Sequence, residues 1–469
     1  MDAPVVVDLD GTLLRSDLLI ESAFAFVGSH PLRIVSLIGL LSRGKAALKD
    51  GIASKTAIDV KHLPYDDRVL EIMEEARRDG RKIYIASASN ERYVEAIASH
   101  LGVDGWFASD AVCNLSTHAK ARKLVEAFGE KQFDYLGDDH ADLAVWAVCR
   151  KGWAVHPSSG VKRAIAESGT DVTVISPRSG NLRQWIKLIR VHQWAKNGLV
   201  FIALLTSHNF ELLALAQAFL AFLAFSFAAS AVYIVNDLVD LEADRKHRSK
   251  KRRPLAAGTV PILAAVPVAA VLAAVAFVVS LSVRLEFAGA LFVYLCLTTA
   301  YSFFLKRKML VDVVVLAALY TIRVIGGGLA IDVAISEWLL GFSMFIFTSL
   351  ALIKRYVGLL ARVDADLPDP TNRNYQRLDV NIVAMLAAGA GMNAVTVFAL
   401  YISSDAVAQM YSHPTVLWLI CPILIYWLAR ALMMAHRRRM EDDPILFALK
   451  DRNSYLAGAL IVAIMYFSA

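Results

Sequence analysis

The sequence predicts an α/β doubly wound soluble domain with a helical insert, followed by an all-α polytopic membrane domain of about nine transmembrane helices. Three observations predict this. A run of valines in VVVDLDGTL (5–13) stops abruptly at carboxylates, as a covered parallel strand does. From about 194 onward the chain carries nine apolar segments, and basic clusters follow every second one. The chain has 469 residues, 57% hydrophobic and 20% charged, so its polar residues must be concentrated, and the first 180 residues read as an ordinary soluble domain.

In the soluble part, Asp8 and Asp10 alternate at the exit of the first strand, and Gly11-Thr12 permits a tight turn. A second strand, KIYIASASN (82–90), delivers Ser87. A third, FDYLGDDHAD (133–142), delivers Asp138 and Asp142. Lys120 lies between them in the helical THAKARKLVEAF. Ligands of open α/β sheets bind beyond the carboxyl ends of the strands. Carboxylates, a hydroxyl and one ammonium gathered there form a phosphate and magnesium site. A last strand-helix-strand over 153–175 closes the domain, and SPRSGNLRQ (176–184) reads as a linker.

DxDGT, the strand-end serine, the lysine and GDxxxD together resemble a haloacid dehalogenase (HAD) superfamily phosphatase over residues 1–177. The resemblance implies that Asp8 is the nucleophile and Asp10 the general acid/base. Ser87 and Lys120 would bind phosphate, and the magnesium set would be Asp8, Asp10, Asp138 and Asp142. Residues 18–70 would form the helical cap of such enzymes. The apolar LRIVSLIGLL (32–41) within them is too short to span a bilayer. A degenerate domain kept for folding or assembly is the alternative.

The membrane part follows a linker and lead-in segment at 178–189 and covers 190–469. Its apolar segments fall near 194–209, 213–236, 260–283, 286–305, 311–331, 336–357, 380–403, 413–434 and 453–468. Arg245–Arg253, Lys306-Arg307-Lys308, Lys354-Arg355 and Arg437–Arg439 end the even-numbered ones. The positive-inside tendency then places the amino terminus and these loops in the cytoplasm, in a bacterial inner or plasma membrane. The net charge of +6 reflects these anchors and implies no nucleic-acid partner. The four cysteines show no metal or disulfide spacing. No signal peptide is expected, because Val5–Val7 is short and meets Asp8.

The second segment ends in NDLVDLEAD (236–244), then RKHRSKKRRP. On a helix Asp237, Asp240 and Asp244 share one face beside Asn236, and clustered carboxylates need a cation among them. Magnesium bound to a pyrophosphate suits such a set, with Lys and Arg neutralising the remaining charge. A solvated helix end with a basic anchor is the alternative. Arg323, inside the fifth segment, must meet an anion or pair with Asp312 or Asp332.

NDxxDxxxD with HxxK and RPLAAG resembles the UbiA superfamily of intramembrane transferases over residues 182–469. RVHQWAKN (190–197), YSFFLKRKMLVDVVVLAALYTIRVIGGGLA (301–330) and LIKRYVGLL (352–360) resemble the branch typified by decaprenyl-phosphate phosphoribosyltransferase. That resemblance implies phosphoribosyl pyrophosphate and a polyprenyl phosphate as substrates. Asn236, Asp237, Asp240 and Asp244 would hold magnesium. Lys196, Lys306, Arg307, Arg323, Lys354 and Arg355 would bind phosphates, and Arg190, Asn197, Tyr233, Lys250 and Asp364 would complete the substrate site. Two departures stand out. Gly358 occupies a position where an acid is expected, and Asp364, Asp366 and Asp369 lie in a Pro-containing stretch unlike the usual second acidic motif. Together the halves suggest transfer of 5-phosphoribose to the lipid, then removal of its 5-phosphate by the HAD-like domain. An aromatic prenyltransferase fused to an independent phosphatase, or a transporter with a regulatory domain, are the alternatives. Oligomeric state is not legible.

Overall fold

A computed structural model describes residues 3–29, 36, 39, 45–56, 58–109, 115–175, 182–207, 209–247, 249–369, 373–405, 407, 411–440 and 443–468. Most of the 32–41 stretch, Cys113, residues 176–181 and the Glu441-Asp442 pair fall outside these. The chain packs as two units, Met1–Arg190 with Tyr233–Ala270, and Val191–Val232 with Val271–Ala469. The foot of the second apolar segment therefore packs with the α/β residues, although the sequence pattern assigns it to the membrane part.

The first unit is built on a six-stranded parallel sheet, ordered β3-β2-β1-β4-β5-β6. Its strands are β1 (Val5–Val7), β2 (Ile83–Asn90), β3 (Gly105–Ser109), β4 (Asp134–Gly137), β5 (Gly152–Val155) and β6 (Val172–Ile175). Val5 and Val7 pack on one face with Ile83, Ile85 and Leu136; Val6 packs on the other with Tyr135 and Trp146. Both faces of β1 are thus buried, which is why the strand reads as unbroken valine. Helices α1 (Leu18–Ser29) and α2 (Lys45–Ala53) interrupt the chain between β1 and α3 (Asp67–Arg78), which packs on the sheet. They occupy the place expected of the cap. The remaining helices used below are α4 (Thr117–Phe128), α5 (Ser159–Ser168), α6 (Leu182–Ile189) and α7 (Leu241–Lys246).

The apolar part contains seven helices long and apolar enough to cross a membrane, among the described residues. They are Leu212–Val239, Ile262–Val283, Leu285–Phe303, Val311–Ala330, Glu337–Asp364, Arg377–Ile402 and Pro414–His436. The other two expected spans are shorter. The first divides into a 3-10 run at Val191–Val200 and a helix at Phe201–Thr206, and the last is the 17-residue helix Arg452–Ser468. Lys354-Arg355, expected to end its span, does not. The helix continues to Asp364, because Arg355 is neutralised inside the bundle at 2.6 Å from buried Asp312. The stretch after Asp364 does leave the helix, as its proline requires; Asp366 has φ +46°, and Arg377 pairs with Asp366 and gives its N–H to Asp369.

Candidate active sites

β1, β2 and β4 end side by side, so their exit residues meet at one edge of the sheet. Asp8, Asp138 and Asp142 bring carboxylate oxygens within 4.8 Å of one another. Among the described residues this is the one group of three or more Asp, Glu, His or Cys side chains able to close on a single ion. Lys120 reaches in from α4, donating to Asp8 at 2.7 Å and Asp142 at 3.2 Å. Asp142 also accepts from the Tyr135 hydroxyl at 2.7 Å and from the N–H groups of Asp138 and Asp139, so it fixes the loop as well as the lysine. Gly11 (φ +81°) is obligatory here, since a β-carbon would sit 2.2 Å from Asp138 Oδ2.

Asp10, expected among the metal ligands, keeps its carboxylate outside the trio that closes on one point. Its oxygens accept from Leu18 N–H at 2.7 Å, Ser87 at 3.2 Å and Ser89 at 2.5 Å. Ser89 and Tyr135 were not anticipated. Ser89 shares the strand face of Ser87 two residues on, a signal that alternation could have supplied. Lys49 of α2 donates to the carbonyl of Ala88 at 2.6 Å, so the helical insert reaches the same end of β2.

The electrostatics follow from crowding. Burial, then the Asp8 and Asp142 charges, push Asp138 up to about 9. Burial pushes Asp8 up to about 7 against the pull of Lys120, and Asp10 up to about 6 with help from Asp17. Burial disfavours the Lys120 ammonium, but Asp8 and Asp142 outweigh it and hold it above its ordinary value. Three mutually repelling carboxylates against one lysine leave surplus negative charge. That donor set, hard oxygens at short range, fits magnesium.

Elsewhere in the first unit, the face shared by Asp237 and Asp244 is real: Arg253 Nη1 contacts both, at 3.0 and 2.5 Å. Arg190 pairs with Asp237 and lies 4.8 Å over the ring of Tyr233, while Lys250 stands 3.8 Å from Asp244. Asp240 ends the long helix, before α7 begins. The cation joining these acids is thus a guanidinium. The carboxylates of 237, 240 and 244 do not close on one point as the Asp8 trio does. Asp237 and Asp244 fit a metal only in exchange for Arg253.

In the second unit, Lys196 and Lys354 both bond to Asp443, the latter at 3.1 Å. Asp443 also caps the helix Pro444–Ala448, accepting from the N–H groups of Ile445 and Leu446. Lys354 and Lys196 outweigh its burial and hold its carboxyl down at about 2. Arg355 pairs with Asp312 and donates to Tyr301 at 2.9 Å. Lys306 and Arg307 form a 3-10 turn at Leu305–Arg307, with Arg307 exposed. Asp364 is held by Arg438 at 2.7 Å on an exposed surface. Its pairing there leaves the substrate role expected of it without support.

Arg323 departs most from expectation. Asp312 goes to Arg355 and Asp332 to Arg284, so neither acid neutralises it. It donates instead to Asn197 Oδ1 at 2.8 Å, to Tyr294 at 3.0 Å and to the carbonyl of Leu319. The rings of Tyr294 and Tyr320 lie 4.8 and 5.7 Å from it. Asn197 in turn donates to Ser226 at 3.0 Å. Neutral dipoles and aromatic faces solvate the cation. Arg323→Met should therefore cost about 1–3 kcal/mol through orphaned acceptors, seen as a lower melting midpoint of the solubilised protein.

The sheet order, the exit carboxylates and Lys120 define a phosphate-handling α/β hydrolase domain fused to a helical membrane domain. Residues 5–147 match the haloacid dehalogenase-like hydrolase model, and residues 198–455 match that of the UbiA prenyltransferase family. The chain belongs to the UbiA prenyltransferase family and carries an amino-terminal HAD-like hydrolase domain; it is a multi-pass membrane protein. It is 35% identical to the uncharacterized protein y4nM of Sinorhizobium fredii over 98% of this chain and 90% of that one. It is 38% identical to decaprenyl-phosphate phosphoribosyltransferase of Mycobacterium tuberculosis over 40% of this chain and 63% of that one. The solved UbiA homolog from Archaeoglobus fulgidus bound to GPP and Mg2+ aligns with TM-score 0.47 and 15% identity, covering 61% and 99% of the two chains.

Proposed function

We propose that the chain transfers 5-phosphoribose from phosphoribosyl pyrophosphate to a polyprenyl phosphate and then removes the 5-phosphate, giving polyprenyl-phosphoryl ribose. The similarity to decaprenyl-phosphate phosphoribosyltransferase carries the first half of this reading. The convergent Asp8, Asp138, Asp142 and Lys120 side chains carry the second. Residues 1–177 would be the phosphatase domain and 190–469 the transferase domain, with 178–189 between them and both active sites on the cytoplasmic side.

In transfer, a lipid phosphate oxygen attacks C1 of the ribose and the C1–O bond to pyrophosphate breaks. Arg190, Arg253 and Lys250 offer charge to that leaving group. Asp8, Asp138 and Asp142, and, once Arg253 yields its place, Asp237 and Asp244 with Asn236 and Asp240 beside them, would hold magnesium, which supplies positive charge to phosphoryl oxygens when bound.

In dephosphorylation, Asp8 attacks the 5-phosphate and the phosphorus–oxygen bond to the sugar breaks, while Asp10 gives its proton to the departing alkoxide. Water then attacks the aspartyl-phosphate and returns a proton to Asp10. Lys120 and Ser87 hold the phosphoryl oxygens.

Asp10 works as an acid only while protonated, and its burial pushes it up to about 6. Asp8 attacks only when ionised, and burial pushes it up to about 7, so for an alkyl phosphate kcat/KM should peak between about 6 and 7 and fall as pH rises further. An aryl phosphate, whose leaving group needs no proton, should lack that limb.

The test of the whole reading is mass spectrometry of lipid formed by the purified chain from phosphoribosyl pyrophosphate and polyprenyl phosphate. A ribosylated lipid is expected. Its absence, with prenylation of an aromatic acceptor instead, would establish the quinone-type alternative.

A further inference from the structure

A buried ion pair joins the two functional stretches of the first unit. Helix α1 starts beside Asp10, to which Leu18 gives its N–H. One turn later Glu21 accepts from both terminal nitrogens of Arg245, at 2.5 and 2.7 Å, and Arg245 Nε donates to the carbonyl of Ala256 at 3.1 Å. Glu21 is 5% exposed and Arg245 7%. Arg245 directly follows Asp244, and Ala256 belongs to the turn that carries Arg253.

A second contact fixes the same turn. Gly258, at φ +64°, closes it against Arg15, where a β-carbon would lie 2.6 Å from Arg15 Cβ and 3.1 Å from its carbonyl oxygen. Lys246 adds a more exposed pairing with Asp59 at 3.2 Å. A loop that only anchored the chain to lipid headgroups would leave its arginines in water. Here one of them is buried on a carboxylate 224 residues earlier in the chain.

The fork of Arg245 ties α7 to the Ala256 turn, and Arg253 of that turn bridges Asp237 and Asp244. A two-pronged guanidinium–carboxylate pair fixes orientation as well as distance. Glu21 thereby sets the frame in which Arg253 and the acids face one another.

We propose that Glu21, acting through Arg245, is a positioning residue for the diphosphate-binding foot of the second span. The α/β half is then a structural part of the transfer site, beyond being a second enzyme on the same chain. The kinetic arm of the test rests on the phosphoribosyl-transfer reading; the binding arm requires only a pyrophosphate site.

The full chain in lipid nanodiscs would be compared with Glu21→Gln, Arg245→Gln, the exchanged pair Glu21→Arg with Arg245→Glu, Gly258→Ala, and Arg163→Gln on the exposed face of α5. Two quantities are read: the Kd for inorganic pyrophosphate with magnesium, by titration calorimetry, and KM and kcat for transfer. Glu21→Gln, Arg245→Gln and Gly258→Ala should each raise Kd and donor KM about tenfold with kcat little changed, the exchanged pair should stay impaired because a glutamate at 245 cannot donate to the Ala256 carbonyl, and Arg163→Gln should match wild type. General unfolding lowers the active fraction, hence kcat, and leaves KM alone. If Glu21→Gln does not fold, Gly258→Ala carries the test, because it shifts the turn with both charges in place. Wild-type Kd and KM in the folded variants would overturn the proposal, as would a wild-type chain that binds no magnesium pyrophosphate. A wild-type chain that binds it but ribosylates no lipid removes the phosphoribosyl reading, and the binding arm still decides this one.

Discussion

Asp8→Asn should release phosphate from the lipid intermediate at least about 10⁴-fold more slowly, while lipid-linked 5-phosphoribose accumulates. The amide keeps the shape of the carboxylate but cannot form the acyl phosphate. Lys120 donates to Asp8 at 2.7 Å in the native chain and would keep its other partner, Asp142. The fold should survive, because the variant also removes one of the charges that push Asp138 up to about 9. Mass spectrometry of the lipid, paired with a phosphate assay, separates the outcomes. Normal phosphate release by Asp8→Asn would end the assignment of this domain to the lipid intermediate.

Asp237→Asn should slow transfer by roughly 10²–10³-fold, the scale of losing one preorganised charge at a developing ionic centre. Asp237 is buried at the foot of a span and is paired with Arg190 and Arg253. Removing its charge takes the carboxylate partner from Arg190, leaves Arg253 with Asp244, and takes one oxygen from the proposed metal set. Both effects should appear as a higher magnesium requirement together with a lower kcat. If NDLVDLEAD were merely a solvated helix end, the loss would be slight, as for an exposed ion pair. Transfer rates across a magnesium titration distinguish the two.

The α/β site was the more legible because each of its parts is local. Three valines covered on both faces announce β1, and the acids follow within three residues. What alternation did not settle was which hydroxyl of IASASN bonds Asp10; both do. The membrane half was legible where periodicity applies. A seven-residue spacing predicted that Asp237 and Asp244 share a face, and one guanidinium touches both. Spacing could not tell an arginine from a metal as the bridging cation, because Arg253 returns only through the turn ending at Gly258. Partners far along the chain were beyond it altogether. Asp443 lies 247 residues from Lys196, and its local sequence advertises only a helix cap. At the two ends of the membrane half the apolar segments form a broken element and a 17-residue helix, shorter than the seven long ones.

The first unit is discontinuous in sequence, and this sets an order of events during synthesis. Residues 1–190 leave the ribosome first, yet the segment that meets Glu21 lies beyond residues 191–232. At about 5–20 residues per second, that interval lasts several seconds. The nascent sheet must therefore hold Glu21 without its arginine until the first apolar segments have been threaded toward the bilayer. A chaperone or the insertion machinery has that window in which to act, and slow codons within 191–232 would lengthen it.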